Sequence, residues 1–194
     1  MKNKGLWIAI GIVVVVIIVV ISSYNGLVKK NEGAMMAWSN VETAYQRRSD
    51  LIPNLVNTVK GYAAHEAETL QSVTDARTKA TSVTIDPSTA TPEQMEAWIA
   101  AQDEVNGALG RLIAVAESYP DLKANENFMQ LQQQLEGTEN RISTERRKYN
   151  EAVREYNVAI RRFPSNIIAG MFGFEKMELF EAAEGAEAVP VVEF

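Results

Sequence analysis

The chain holds one histidine, and any chemistry would be sought first around it, in His65-Glu66-Ala67-Glu68-Thr69. A zinc-hydrolase helix needs H-E-x-x-H, with two imidazoles one turn apart on one face. Here Thr69 stands where the second imidazole would be. A di-iron bundle needs Glu-x-x-His on two helices, and position 62 is a tyrosine. A triad could use His65, but no serine has the strand-turn-helix elbow that exposes a nucleophile. No loop carries the alternating acidic spacing of a calcium or magnesium site. The chain has no cysteine, which excludes disulfides, thiolate metal sites and a lipidated N-terminal cysteine. His65 is therefore read as a surface or hydrogen-bonded residue, with partner contact or pH sensing as the alternative. The expectation is a protein with no catalytic residue, no metal ligand, no cofactor and no evident small-molecule substrate.

Three other groups of polar residues invite a reading. Arg48, Glu66 and Glu145 fall where apolar residues would continue a buried stripe. They either lie at solvated ends with their stems on the core, or form an internal polar layer that fixes helix register. The layer predicts a base within pairing distance of Glu145 or Glu66. The pairs Tyr149-Asn150 and Tyr156-Asn157 repeat seven apart, so both tyrosines enter one seam. A buried tyrosine needs a partner for its hydroxyl, and the neighbouring asparagine is the nearest candidate. A contact surface for another subunit, through Tyr149 and Tyr156, is the alternative. The basic run 141–162 is interleaved with glutamates at i±4, the pattern of a salt-bridged solvated face, with attraction to anionic lipid as the next reading and nucleic acid after it. Nucleic acid is disfavoured further by net charge, which is −6 for the whole chain and becomes more negative without Lys2 and Lys4.

The elements that must position these residues begin with the N-terminus. Leu6 to Ile21 is uncharged and apolar, LWIAIGIVVVVIIVVI. Extended from Gly5 to Tyr24, it is long enough to cross the roughly 30 Å hydrocarbon core of a bilayer. Trp7 and Tyr24 suit the two aromatic belts, and Lys29 and Lys30 the headgroups beyond. A cleaved signal peptide is the rival reading, but its apolar core is usually shorter and no A-x-A-like site follows. Basic residues flank both ends, so charge does not decide which side the rest of the chain occupies.

From Lys29 onward the period is helical. Trp38, Val41, Tyr45, Ile52, Leu55, Val59, Tyr62 and Val73 make one stripe that continues to about Thr81, with a kink expected near Ser49 to Pro53. Residues 81–92 read as a loop. Thr91, Pro92 and Gln94 then form a capping signal for a second helix, ended by Tyr119-Pro120. After a short loop, Phe128, Leu135, Ile142, Tyr149, Tyr156 and Phe163 fall every seven residues along a third helix, stopped by Pro164. SNIIAGMFGF reads as a short helix or turn on the bundle end, or a segment lying on the membrane. The remainder is an acidic, extended or mobile tail. The predicted fold is all-α, with a membrane anchor at 1–28, an up-down-up antiparallel bundle of three long helices at 29–164, and a short apolar helix and tail at 165–194.

These segments resemble the LemA family. The resemblance is carried by YNGLV (24–28), RRSDLIPNLVNTVKGYAAHEAETLQSVTDAR (47–77), YPDLKANENFMQLQQQLEGTENRI (119–142), RRKYNEAVREYNVAIRRFP (146–164) and a closing GF…F…P.V.F pattern from Gly173 to Phe194. It covers nearly the whole chain. It implies a membrane-anchored antiparallel helical bundle on the cytoplasmic side of a cell membrane. It brings no catalytic residue, because the family's biochemical role is largely unassigned. Relatives in magnetosome membranes point to membrane organisation. The expected protein is a single-pass, non-catalytic interaction or scaffold module that holds the bilayer through residues 5–24. It would bind a protein partner or copies of itself. A regulatory subunit of a membrane enzyme is the runner-up; a hydrolase or metal-binding bundle comes last.

Overall fold

The computed structural model describes residues 4–180. Among the described residues all regular structure is helical: α1 (Lys4–Lys60), α2 (Ala67–Ser82), α3 (Pro92–Ala116), α4 (Pro120–Lys123), α5 (Glu126–Arg161) and α6 (Ser165–Phe172).

Helix α1 has 57 residues, about 86 Å at 1.5 Å per residue. Its apolar run from Leu6 to Val19 touches almost nothing of the chain, and the first buried side chain is Leu27. The helix continues through Pro53 without interruption. Proline removes the hydrogen bond that would satisfy the carbonyl four residues back. That carbonyl, on Ser49, accepts instead from Arg77 Nε of α2 at 2.8 Å. The bond lost within one helix becomes a bond between two.

The stripe expected to run unbroken to Thr81 is divided at residues 61–66, where the chain turns back. Period alone does not show this. Val59 and Ala63 before the turn and Leu70, Val73 and Ala76 after it face the same core, so the stripe stays in phase across two antiparallel helices. The bundle therefore has four members, α1, α2, α3 and α5. Their directions follow from cross-links: Arg77 of α2 lies by Ser49, Tyr119 after α3 lies by Glu66 before α2, Asn125 before α5 lies by Tyr62, and Lys30 of α1 lies by Glu155 of α5. The start of α3 follows the sequence reading. Thr91 Oγ1 accepts from Gln94 N, and Gln94 Oε1 accepts from Thr91 N, a reciprocal box with Pro92 at the first helical position. The predicted loop before α5 contains the single turn α4, and Asn125 caps α5 by accepting from Phe128 N.

The interior forms two apolar clusters. One, next to the apolar end of α1, holds Leu27, Trp38, Tyr45, Trp98, Tyr149, Tyr156, Ile168 and Phe180. The other, distal, holds Ile52, Val59, Val73, Leu109, Leu112, Leu122, Phe128 and Leu135. Between them, on three helices, lie the buried polar residues Arg48, Ser49, Gln102 and Thr138. The seven-residue stripe of α5 is buried from Phe128 to Tyr156, but Phe163 is 77% exposed. The helix ends at Arg161, so Phe163 lies beyond it, just before α6.

After α6, Gly173 adopts φ +73°, a left-handed cap that favours glycine. The chain then runs without regular structure along the bundle, away from the apolar end of α1. Met177 and Phe180 are buried there. The part of the expected mobile tail that is described is thus a packed strap. The tail beyond it, 181–194, lies outside the described residues.

Candidate functional site

The strap is held by the repeated Tyr-Asn pairs. Asn157 Nδ2 donates to Met177 O at 2.8 Å, and Met177 N donates to Asn157 Oδ1 at 3.0 Å. Asn150 does the same with Phe180, both bonds at 2.8 Å. Each side-chain amide stands in for the peptide group of a neighbouring strand. The spacing fits: seven residues of helix rise about 10.5 Å, and three residues of extended chain span about 10 Å. Tyr149 Oη adds a donation to Glu178 O at 3.0 Å. The hydroxyl's partner is therefore the strap, not the adjacent asparagine expected from sequence. Only main-chain atoms of the strap are read by these bonds, so they are indifferent to its sequence.

Sequence is read at its end. The Phe180 ring stacks on Trp38 (centroids 5.8 Å apart, planes at 15°) and meets Tyr149 edge-on at 5.4 Å and Trp98 at 6.0 Å. The Arg146 guanidinium covers the ring at 4.5 Å. An aromatic anchor in an aromatic pocket carries a large share of binding energy in protein interfaces. Burial pushes the Tyr149 hydroxyl well above its ordinary value of 10.0, and the Glu178 carboxylate adds to it. Tyr156 is raised by burial first and Glu175 second. Both hydroxyls stay neutral at physiological pH.

The second polar site is the layer between the two cores. Arg48 is 1% exposed. Its Nη2 donates to Gln102 Oε1 at 2.7 Å and Gln102 O at 3.1 Å, and its Nη1 to Glu139 Oε1 at 3.3 Å and to Asn106 Oδ1. The guanidinium lies 4.9 Å over the Tyr45 ring. Gln102 Nε2 passes the network to Ala80 O of α2. One arginine thus ties α1 to α3 and α5, and through Gln102 to α2. A cavity of about 130 Å³ adjoins it, lined in part by Glu42, Ser49, Arg77 and Trp98.

The structure does not bring Arg48, Glu66 and Glu145 together. Glu66 is in the distal turn and accepts from Tyr119 Oη at 3.0 Å. Glu145 is buried within α5 and paired with Arg141 at 2.8 Å and Lys148 at 3.0 Å of its own helix. The partners of Arg48 were missed; the available signal was Gln102, a polar residue at helical spacing between Trp98 and Val105. His65 is exposed in the distal turn. Tyr149 and Tyr156, for which another subunit was the alternative to a place in the seam, are 0% and 2% exposed in the chain's own core, and Tyr149 also bonds the strap. At the other end, Trp7 is 71% exposed, and Tyr24 packs on Phe172 with centroids 4.8 Å apart. Lys29 is exposed, and Lys30 pairs with Glu155 at 2.9 Å. Among the described residues no group of three His, Cys, Asp or Glu lies close enough to hold a metal.

The family model described as "LemA family" matches residues 37–194. The chain belongs to the LemA family. The match spans the strap, its two asparagine clamps and the Arg48 layer. Among curated relatives, the magnetosome proteins MamQ 1 and MamQ 2 of Paramagnetospirillum magneticum are each 30% identical over 191 residues, covering 90% of this chain and 70% of theirs. A protein named LemA from Metamycoplasma hominis is 28% identical over 160 residues, covering 82% of this chain and 69% of its own. As in the family resemblance, the chain is helical and carries an N-terminal helix long and apolar enough to cross a membrane.

Proposed function

We propose that this LemA-family protein is a single-pass membrane-anchored interaction or scaffold module without catalysis of its own. The observation that supports it is the groove on α5, α1 and α3: side-chain amides that clamp extended main chain, next to an aromatic pocket that takes one phenylalanine. This is the chemistry of holding a polypeptide. In the described structure the chain's own strap occupies it. Residues 181–194, which follow the anchoring Phe180 in sequence, are acidic. The bundle projects on the cytoplasmic side, as the family resemblance implied. The magnetosome relatives are named for a structure rather than a reaction, which favours organisation over catalysis. A regulatory subunit whose partner holds the activity remains the second reading, because the same groove would serve it.

The test is crosslinking in membranes, followed by solubilisation, pull-down and mass spectrometry. Full-length chain is compared with a chain lacking residues 181–194 and with Asn150→Ala/Asn157→Ala. A stoichiometric partner lost or gained in either variant supports the reading. A partner set identical in all three, or none in any, rejects it. A partner that is itself an enzyme would select the regulatory version.

A further inference from the structure

The membrane-proximal end of the bundle has a second hydrophobic surface besides the apolar run of α1. Phe163 is 77% exposed, Met171 71%, Phe172 54% and Ile167 53%. Phe163, Ile167 and Met171 are four residues apart, and α6 contributes no charged side chain between Ser165 and Phe172. Its opposite face, Ile168 and Ala169, is buried on the bundle.

The level of this surface is fixed by contacts. Phe172 and Phe174 pack on Tyr24 at 4.8 and 5.8 Å. Ser165 and Arg162 line one groove with Ser22 and Ser23. Val20 packs against the proximal core. The foot therefore meets α1 at residues 20–24. A span must cover about 20 residues to cross the hydrocarbon core. It cannot slide towards the N-terminus, because Lys4 and Lys2 bound it there. Residues 20–24 are then its last turn, at membrane depth.

We infer that α6 is an interfacial foot, with Phe163, Ile167, Met171 and Phe172 inserted into the leaflet from which the bundle emerges. The occupant of the patch is lipid. A second copy fits poorly, since four side chains on two turns fall well short of the about 800 Å² per partner of a stable interface. Arg154 and Arg162, on the rim of the groove beside the foot, face the level of anionic headgroups. Two points of attachment, α1 and α6, hold the bundle upright, where one helix would leave it free to tilt.

This rests on α1 crossing the bilayer, so the test reads both. The chain has no cysteine, and single spin labels can be placed at Ile167→Cys, Met171→Cys, Val15→Cys and Ser118→Cys in full-length protein. The protein is reconstituted in phosphatidylcholine–phosphatidylglycerol vesicles. Collision with oxygen is compared with collision with a water-soluble nickel chelate. The expected oxygen-to-nickel ratio is severalfold higher at positions 167, 171 and 15 than at 118. Lipid values at 15 with water values at 167 and 171 would overturn the foot alone. Water values at 15 would overturn the span and the foot together. Labels at 167 and 171 shielded from both reagents, with spin–spin broadening between copies, would assign the patch to self-association and overturn lipid as its occupant.

Discussion

Arg48 combines the features that make a residue hard to replace. It is buried, its donors are spent on Gln102, Asn106 and Glu139, and its acceptors sit on different helices. Removing it strands buried acceptors and opens a cavity, which together cost about 3 kcal/mol or more. For a chain of this size that is a fall of about 6–12 °C in melting temperature. We expect Arg48→Ala to show it in thermal unfolding of detergent-solubilised protein followed by circular dichroism. Arg48→Lys should not rescue, because an ammonium cannot reproduce the planar fork. Adding Gln102→Ala to Arg48→Ala should cost clearly less than Gln102→Ala alone, since the two share one network. Tyr149 makes a prediction of opposite character. Its hydroxyl is raised above 10.0 by burial, so the neutral form is favoured in the folded state. The stability it contributes is complete below the unfolded value, about pH 10, and is lost as pH rises from there towards the folded value. Melting temperature should be insensitive to Tyr149 ionisation at neutral pH and fall above about pH 10. Tyr149→Phe should flatten part of that fall.

At the scale of elements, the strap is the testable unit. Each asparagine clamp makes two hydrogen bonds with the main chain, each worth about 1 kcal/mol net. Asn157→Ala should therefore speed amide exchange at Met177 and Phe180 by at least about tenfold while leaving the α5 core protected. Equal exchange in variant and parent would show that Phe180 alone holds the strap. Asn150→Ala and Asn157→Ala should combine with Phe180→Ala to expose Trp38 and Trp98, read as a red shift of tryptophan emission. The element boundaries show how far period can be read. Thr91-Pro92-Glu93-Gln94 announced the start of α3 because a cap is local chemistry. The turn at 61–66 was invisible to the stripe, since both helices it joins face one core. A glycine after a basic last turn, Lys60-Gly61, was the local signal that marked it.

At the scale of the molecule, α1 is both a helix long and apolar enough to cross a membrane and a member of the bundle. From Tyr24 to Lys60 it is continuous helix, about 54 Å of rise. If it stands upright on its α6 foot, the turn holding His65 is at the far tip. A fluorophore at His65→Cys should show little energy transfer to headgroup acceptors in proteoliposomes, and one at Ser22→Cys near-complete transfer. Strong transfer from position 65 would mean that the bundle lies down. His65→Ala should leave melting temperature and partner capture unchanged, as an exposed residue of that turn.

Composition and period are properties of short windows, and the features they govern were legible there. The apolar run of α1, the helical class, the capped start of α3 and the heptads of α5 each follow from residues within a few turns of one another. The repeat of Tyr-Asn at 149–150 and 156–157 was also visible, but its meaning was not. Whether an asparagine serves a neighbouring tyrosine or a strap twenty or thirty residues later depends on which chain lies over it, and that is a long-range fact. The same holds for Arg48. Its sequence position marked it as a polar residue in an apolar stripe, and only packing decided that Gln102, Asn106 and Glu139 would meet it while Glu66 and Glu145 would not. A buried charge is stable wherever the fold assembles its partners, and that assembly is made by tertiary structure.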